Sequence, residues 1–175
     1  MDIDLFSEIE DRALDLIPAN GRVLLGVGAP LRLLPRLPSS TIVDVEAGTL
    51  STSSSDVPTY MGEQELFDNS KRNIGINNFF TFWTRKVPYD AVVLEVLEID
   101  KNFNVNVDQI DDRVFGGRGG AAAALKLAKQ VILLPSKGRA SFLENVSVES
   151  YCLRDCLPPG ASARVVFPDD IIDLM

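Results

Sequence analysis

Glu46 is the residue with the clearest chemical prospects. It closes a β-branched run, Thr41-Ile-Val-Asp-Val-Glu46, and is followed at once by Ala47 and Gly48. A carboxylate at the point where a buried strand leaves a parallel sheet stands where α/β proteins usually place chemistry. The plainer reading of the same residue is a solvated strand end. A second feature is the run Phe115-Gly-Gly-Arg-Gly-Gly-Ala121, in which Gly116, Gly117, Gly119 and Gly120 lead into an alanine-rich helix expected over residues 121–128. Backbone N–H groups at a helix start, unshielded by side chains, are suited to an anion or a developing oxyanion. A hinge for close helix–sheet packing would need fewer glycines, which favours the anion reading. Gly26 and Gly28 also follow a strand, but position 31, where a dinucleotide fingerprint needs its third glycine, is Leu31. That pair reads as a tight strand-to-helix turn. Asn104 and Asn106 fit either a turn or an amide clamp on a ligand.

Composition narrows the chemistry. The 175 residues include no histidine, so Ser-His-Asp and Cys-His nucleophile activation and histidine metal sites are excluded within the chain. A general base must be a carboxylate, Lys or Tyr, or come from a partner. Cys152 and Cys156 are too few for a disulfide scaffold and supply only two ligands to a zinc ion, so they read as free thiols and no metal site is expected. Seventeen basic against twenty-five acidic residues give a net charge of −8 without any basic block, which argues against a nucleic-acid groove. The acidic start Met1-Asp-Ile-Asp-Leu5 is unlike a signal sequence, and no apolar run nears the roughly 20 residues of a membrane span. The expectation is a cytoplasmic protein without membrane contact.

The elements that must position these residues follow from the apolar pattern. Phe6, Ile9, Ala13, Leu14 and Ile17 recur at helical spacing up to Pro18. Arg22 to Gly28 reads as a buried strand. A Leu-rich helix follows, entered by Pro30 and limited by Pro35 and Pro38, and leads to the strand ending at Glu46. Ser51 to Asp56 is a polar loop, and Gln64 to Trp83 gives two helical pieces whose Phe79, Phe80, Phe82 and Trp83 read as core or as an oligomer contact. Strands are expected at Tyr89–Leu97, Gln130–Leu134 and Ala163–Phe167, with a short return strand around Phe142 to Val148. Continuous apolar strands alternating with helices predict one α/β domain over residues 1–175, a largely parallel sheet with helices on both faces.

Taken in order, these motifs resemble the second (β-type) subunit of the family I CoA-transferases. Gly26-Val-Gly28-Ala-Pro30 is similar to that family's first strand and glycine turn, and Val45-Glu46-Ala47-Gly48 to its E-[NSA]-G catalytic motif. Ile99-Asp100 with Asn104-Val-Asn106 resembles its I-D-x-x-G-N-x-N segment, and Gly117-Arg-Gly-Gly-Ala121 its G-x-G-G-A loop. The resemblance implies a CoA-transferase-like (NagB/RpiA-like) fold and transfer of coenzyme A, as substrate and not as a resident cofactor, between an acyl-CoA and a free carboxylic acid. Glu46 would be the nucleophile, passing through a glutamyl-CoA thioester. Gly117, Gly119, Gly120 and Ala121 would hold the oxyanion and CoA, and Gly26, Gly28, Asn104 and Asn106 would line the pocket. An α-type subunit would complete the site. Glu98 replaces the family's Gln, Phe103 replaces the Gly before Asn104, and Glu149 to Cys156 replaces a segment ending in T/S-x-G. Hydrolysis of a CoA thioester or opening of a ring by water, and a non-catalytic scaffold role, are the alternatives.

Overall fold

The computed structural model describes residues 3–114, 120–136 and 141–175. Among these, fourteen strands run in chain order: β1 (Arg22–Leu25), β2 (Ile42–Val45), β3 (Thr49–Leu50), β4 (Arg72–Asn73), β5 (Ala91–Val96), β6 (Glu98–Asp100), β7 (Asn104–Asn106), β8 (Gln109–Ile110), β9 (Arg113–Val114), β10 (Gln130–Pro135), β11 (Ser141–Leu143), β12 (Tyr151–Cys152), β13 (Ser162–Val166) and β14 (Ile171–Asp173). The main sheet has the order β14-β13-β10-β5-β1-β2-β3-β4. Its five central strands, β13, β10, β5, β1 and β2, are mutually parallel, while β3, β4 and β14 extend the edges antiparallel. The chain leaves β1 for β2 on one side and later returns to β5 on the other. That reversal opens a crevice beyond the carboxyl ends of β1, β2 and β5, where ligands bind in such sheets.

The largely apolar character of the central strands is explained by burial on both faces. In β5, Ala91 and Val93 point to one side and Val92, Leu94 and Val96 to the other. The first side packs under helix α1 (Ile3–Leu16), through Ile9 and Ala13, and under a 3-10 helix, Ala29–Arg36, through Leu31, Leu33 and Leu34. Pro30 enters that helix as expected. Pro35 lies inside it and does not end it. Arg36 ties the helix to α1 through Glu10 (3.2 Å) and Asp11.

The second side is covered by more than helices. Phe79 and Tyr89 pack there together with the helix Ala121–Ala124, and so does a second sheet of order β11-β6-β7-β12 that contributes Ile99, Val105 and Tyr151. The pattern of the sequence did not predict this sheet. The alanine helix is also shorter than expected: it continues only as a 3-10 turn, Leu125–Leu127. Ala128 is drawn into a parallel bridge with Tyr89, whose N–H donates to the Leu127 carbonyl, and tertiary pairing overrides alanine's helix preference. No helix among the described residues is long and apolar enough to cross a membrane.

Candidate active site

β2 alternates its side chains, Val43 and Val45 toward the helical side and Asp44 toward the second sheet. Glu46, two residues past Asp44, shares its side. The Glu46 N–H still donates to the Leu25 carbonyl (3.3 Å), so the residue stays in register beside the end of β1. The chain then turns sharply. Gly48 N–H closes on the Val45 carbonyl (2.9 Å), and Thr49 pairs back with Val45 to start β3.

Gly48 has φ 87°, and a Cβ there would stand 2.6 Å from the backbone of Gly75, whose neighbour Ile74 donates to the Gly48 carbonyl (3.0 Å). Both the dihedral and the close approach demand glycine. Gly48→Ala is expected to cost at least about 2 kcal/mol by urea denaturation and to displace Glu46. Gly160→Ala, also at positive φ but facing open space, is the control and is expected to cost only about 1 kcal/mol.

Glu46 is 9 % exposed. Burial pushes its carboxyl up to about 7, opposed only partly by a hydrogen bond from the Val27 backbone N–H. Glycines make this possible. Glu46 Oε2 lies 3.7 Å from where a Gly26 Cβ would be, and that Cβ would also press on Leu94 and the Val93 carbonyl. At Gly28, φ is 81° and the Cβ position is taken by Glu95 Oε2, which accepts the Ala29 N–H (2.7 Å) and caps the start of the 3-10 helix. The structure thus places Gly26 and Val27 against Glu46 and gives Gly28 to Glu95.

The asparagines expected at the pocket have internal work. Asn106 is fully buried, donates its two amide hydrogens to Glu98 Oε2 (2.7 Å) and the Gln109 carbonyl (2.6 Å) with Ser147 Oγ 3.2 Å from the same nitrogen, and accepts the N–H groups of Asp108 and Gln109. Asn104 gives its N–H and its Nδ2 to the two oxygens of Asp100 (3.1 and 3.0 Å). Of the two readings left open, the turn is the one these bonds fit directly. Burial pushes the Asp100 carboxyl up, but the bonds from Asn104, Asn102 and Val146 together hold it below the usual carboxylate range. Phe103 stands at φ 68°, the conformation a glycine would adopt freely, and Arg154 packs 4.2 Å above its ring.

Gly117 and Gly119 lie outside the described residues. Gly120 and Ala121 do start the short alanine helix. The Phe80 ring fills the space of a Gly120 Cβ, 1.7 Å from its Cε1, so this glycine is required for close packing. A helix of four residues adds little dipole.

Three features escaped the sequence reading. Asp44, wholly buried, accepts from Arg22 Nη1 (2.8 Å), Ser51 N–H (2.9 Å), Tyr89 Oη (3.0 Å) and Trp83 Nε1 (3.1 Å). The lone carboxylate in Ile42-Val-Asp-Val45 was the available signal. Glu95 was hidden in the same way within β5. The third is a cleft of 620 Å³ lined by Arg72, Ile74, Asn78, Phe82, Trp83 and Lys86 among others. It borders the Glu46 turn through the Ile74–Gly48 hydrogen bond. Phe79 is core as expected, but Phe82 is 57 % exposed at the cleft.

Neither protein-family models nor curated protein sequences give a match. Solved structures do. The acyl-CoA transferase YdiF from Escherichia coli O157:H7, in a thioester complex with CoA, superposes with a TM-score of 0.71 at 17 % identity over 97 % of this chain. Glutaconate coenzyme A-transferase from Acidaminococcus fermentans gives 0.75 at 20 % over 96 %, and the decarboxylase AibA/AibB 0.76 at 18 % over 99 %. This chain spans 34 % of the YdiF chain and 73 % and 74 % of the other two. The fold is therefore that of the family I CoA-transferases, as the motif resemblance implied.

Proposed function

We propose that this chain is the β-type subunit of an acyl-CoA:carboxylate CoA-transferase, with Glu46 as its nucleophile. The observation that supports this most is the state of Glu46: a carboxylate at the switch crevice, nearly closed off from water and ionising close to neutrality. A carboxylate is a weak nucleophile when hydrated. Stripped of water, it attacks a thioester carbonyl more readily, provided the oxyanion is held by fixed donors. Attack forms a mixed anhydride and releases CoA thiolate. The thiolate returns to the Glu46 acyl carbon, freeing the first acid and leaving a glutamyl-CoA thioester. An acceptor carboxylate then reverses the sequence. No step needs histidine. An α-type subunit is the expected partner, and the paired name AibA/AibB is consistent with a two-chain assembly.

The fold alone does not choose the reaction, because a decarboxylase superposes as well as the transferases do. Glu46 favours transfer. The test is intact-mass analysis after mixing the copurified subunits with acyl-CoA. Transfer predicts a CoA adduct on the Glu46 peptide and a second acyl-CoA product, whereas hydrolysis leaves free CoA, and a scaffold gives neither.

The cleft beside the turn is suited to the anionic part of a CoA ester, with Arg72 and Lys86 as exposed cations and Phe82 and Trp83 as apolar faces. Arg72→Ala with Lys86→Ala is expected to raise KM for the ester roughly tenfold, with kcat kept and the effect shrinking in high salt. Trp83 is the only tryptophan, so its fluorescence reports binding directly.

A further inference from the structure

The turn that follows β1, Gly26 to Ala29, has almost no side chains of its own to hold it. Gly26 and Gly28 carry none, and Pro30 has no N–H to give. Its backbone is fixed at three points instead. Gly26 N–H donates to the Val93 carbonyl (2.9 Å), Ala29 N–H to Glu95 Oε2 (2.7 Å), and Leu31 N–H to the Gly28 carbonyl (3.1 Å). Gly28, the cap of the 3-10 helix, offers no side-chain acceptor, so Glu95 supplies one from the neighbouring strand β5. The carboxylate also rests against the Gly28 backbone: a Cβ there would stand 2.9 Å from Glu95 Cδ.

Glu95 is half-buried and is the one charged residue of β5, whose other residues are buried and apolar. It lies two residues past Val93 and shares its side of the main sheet, the side under the 3-10 helix. Glu46 meets the same turn from β2 on the opposite side, with Oε2 3.7 Å from the Gly26 Cβ position. The turn thus runs between two carboxylates, one from each strand that flanks β1. The N–H that Glu46 accepts, that of Val27, lies between the points fixed by Val93 and by Glu95.

We propose that Glu95 is a positioning residue for the nucleophile: by fixing the Gly28–Ala29 peptide it keeps the Val27 N–H directed at Glu46. This rests on Glu46 being the nucleophile. A donor already in place needs no reorganisation when charge appears on the oxygen it faces. Glu95 acts only through the backbone of the turn.

The experiment follows the Val27 amide in 15N–1H NMR spectra of the full chain. In the wild type its resonance is expected to move between pH 5 and pH 8 as Glu46 ionises, a movement that Glu46→Gln removes. Glu95→Ala deletes the acceptor, and Glu95→Asp withdraws it by one methylene while keeping the charge. Both are expected to lose most of the movement, and Glu95→Asp carries the comparison if Glu95→Ala folds poorly. Glu95→Gln keeps the length and an acceptor oxygen and is expected to retain the movement. In the assembled enzyme, Glu95→Asp is expected to lower kcat on the order of 10-fold with KM unchanged, whereas Glu95→Gln stays near wild type. The positioning role is overturned by a Val27 amide that follows Glu46 in Glu95→Asp as it does in the wild type, or by one that ignores Glu46 in the wild type itself. Loss of the movement in Glu95→Gln would overturn it too. A Glu46→Gln enzyme that still transfers CoA would refute the nucleophile reading and leave the amide result standing.

Discussion

Glu46→Gln is expected to abolish CoA transfer by roughly 10⁴-fold or more while making the chain more stable at pH 8. The two effects have one origin. The folded protein holds the Glu46 carboxyl at about 7 because burial disfavours its charge, whereas the unfolded chain releases the proton at the ordinary 4.5. Below pH 4.5 the group is protonated in both states and contributes nothing. Between 4.5 and 7 the folded state binds the proton that the unfolded state has lost, so stability falls as pH rises. Above 7 the loss is complete, at about 3 kcal/mol. Glutamine keeps the size and an acceptor for the Val27 N–H without the charge. Urea denaturation at pH 5 and pH 8 should therefore show its advantage over wild type growing with pH. In the active enzyme the nucleophile must be ionised, so kcat/KM should rise about tenfold per unit below 7 and level off above it. An advantage that is absent at pH 8 would mean that Glu46 is better solvated than its burial implies.

The parts of this fold that local pattern determines were legible. β1, β2, β5, β10 and β13 are largely apolar because both faces of the parallel sheet are covered, and the Ala47-Gly48 step marked the turn that presents Glu46. The second sheet was not legible. Its residues 98–106 look solvated because they carry Glu98, Asp100, Asn104 and Asn106, yet each of those side chains is satisfied inside the fold. Glu98 takes two of its bonds from Ser147, and β6 pairs with β11, each more than forty positions away. No local periodicity encodes that pairing.

Asp44→Ala is expected to cost about 3–5 kcal/mol and to leave much of the chain unfolded at moderate urea. Asp44 and Glu46 lie two residues apart on one side of β2, both carboxylates and both buried, but the fold treats them oppositely. Asp44 receives four donors, including the Arg22 guanidinium, from β1, from the loop after β3, and from the Trp83 and Tyr89 segments. Removing it strands the Tyr89 hydroxyl in the core and takes the acceptor from the half-buried Trp83 N–H, whereas Arg22, partly exposed, can turn toward water. Asp44→Asn keeps one acceptor oxygen but offers an amide to donors, so an intermediate loss of about 2 kcal/mol is expected. The tryptophan emission should shift in both variants, because Trp83 Nε1 is bonded to the altered side chain. A carboxylate saturated with donors has no free lone pair to offer a substrate. One that receives only a backbone N–H among the described residues retains its nucleophilicity, at the expense of stability. If Asp44→Asn were as stable as wild type, this division between an anchoring and a reactive carboxylate would not hold. Loss of stability in Asp44→Asn together with a gain in Glu46→Gln would establish it for two residues of one short segment.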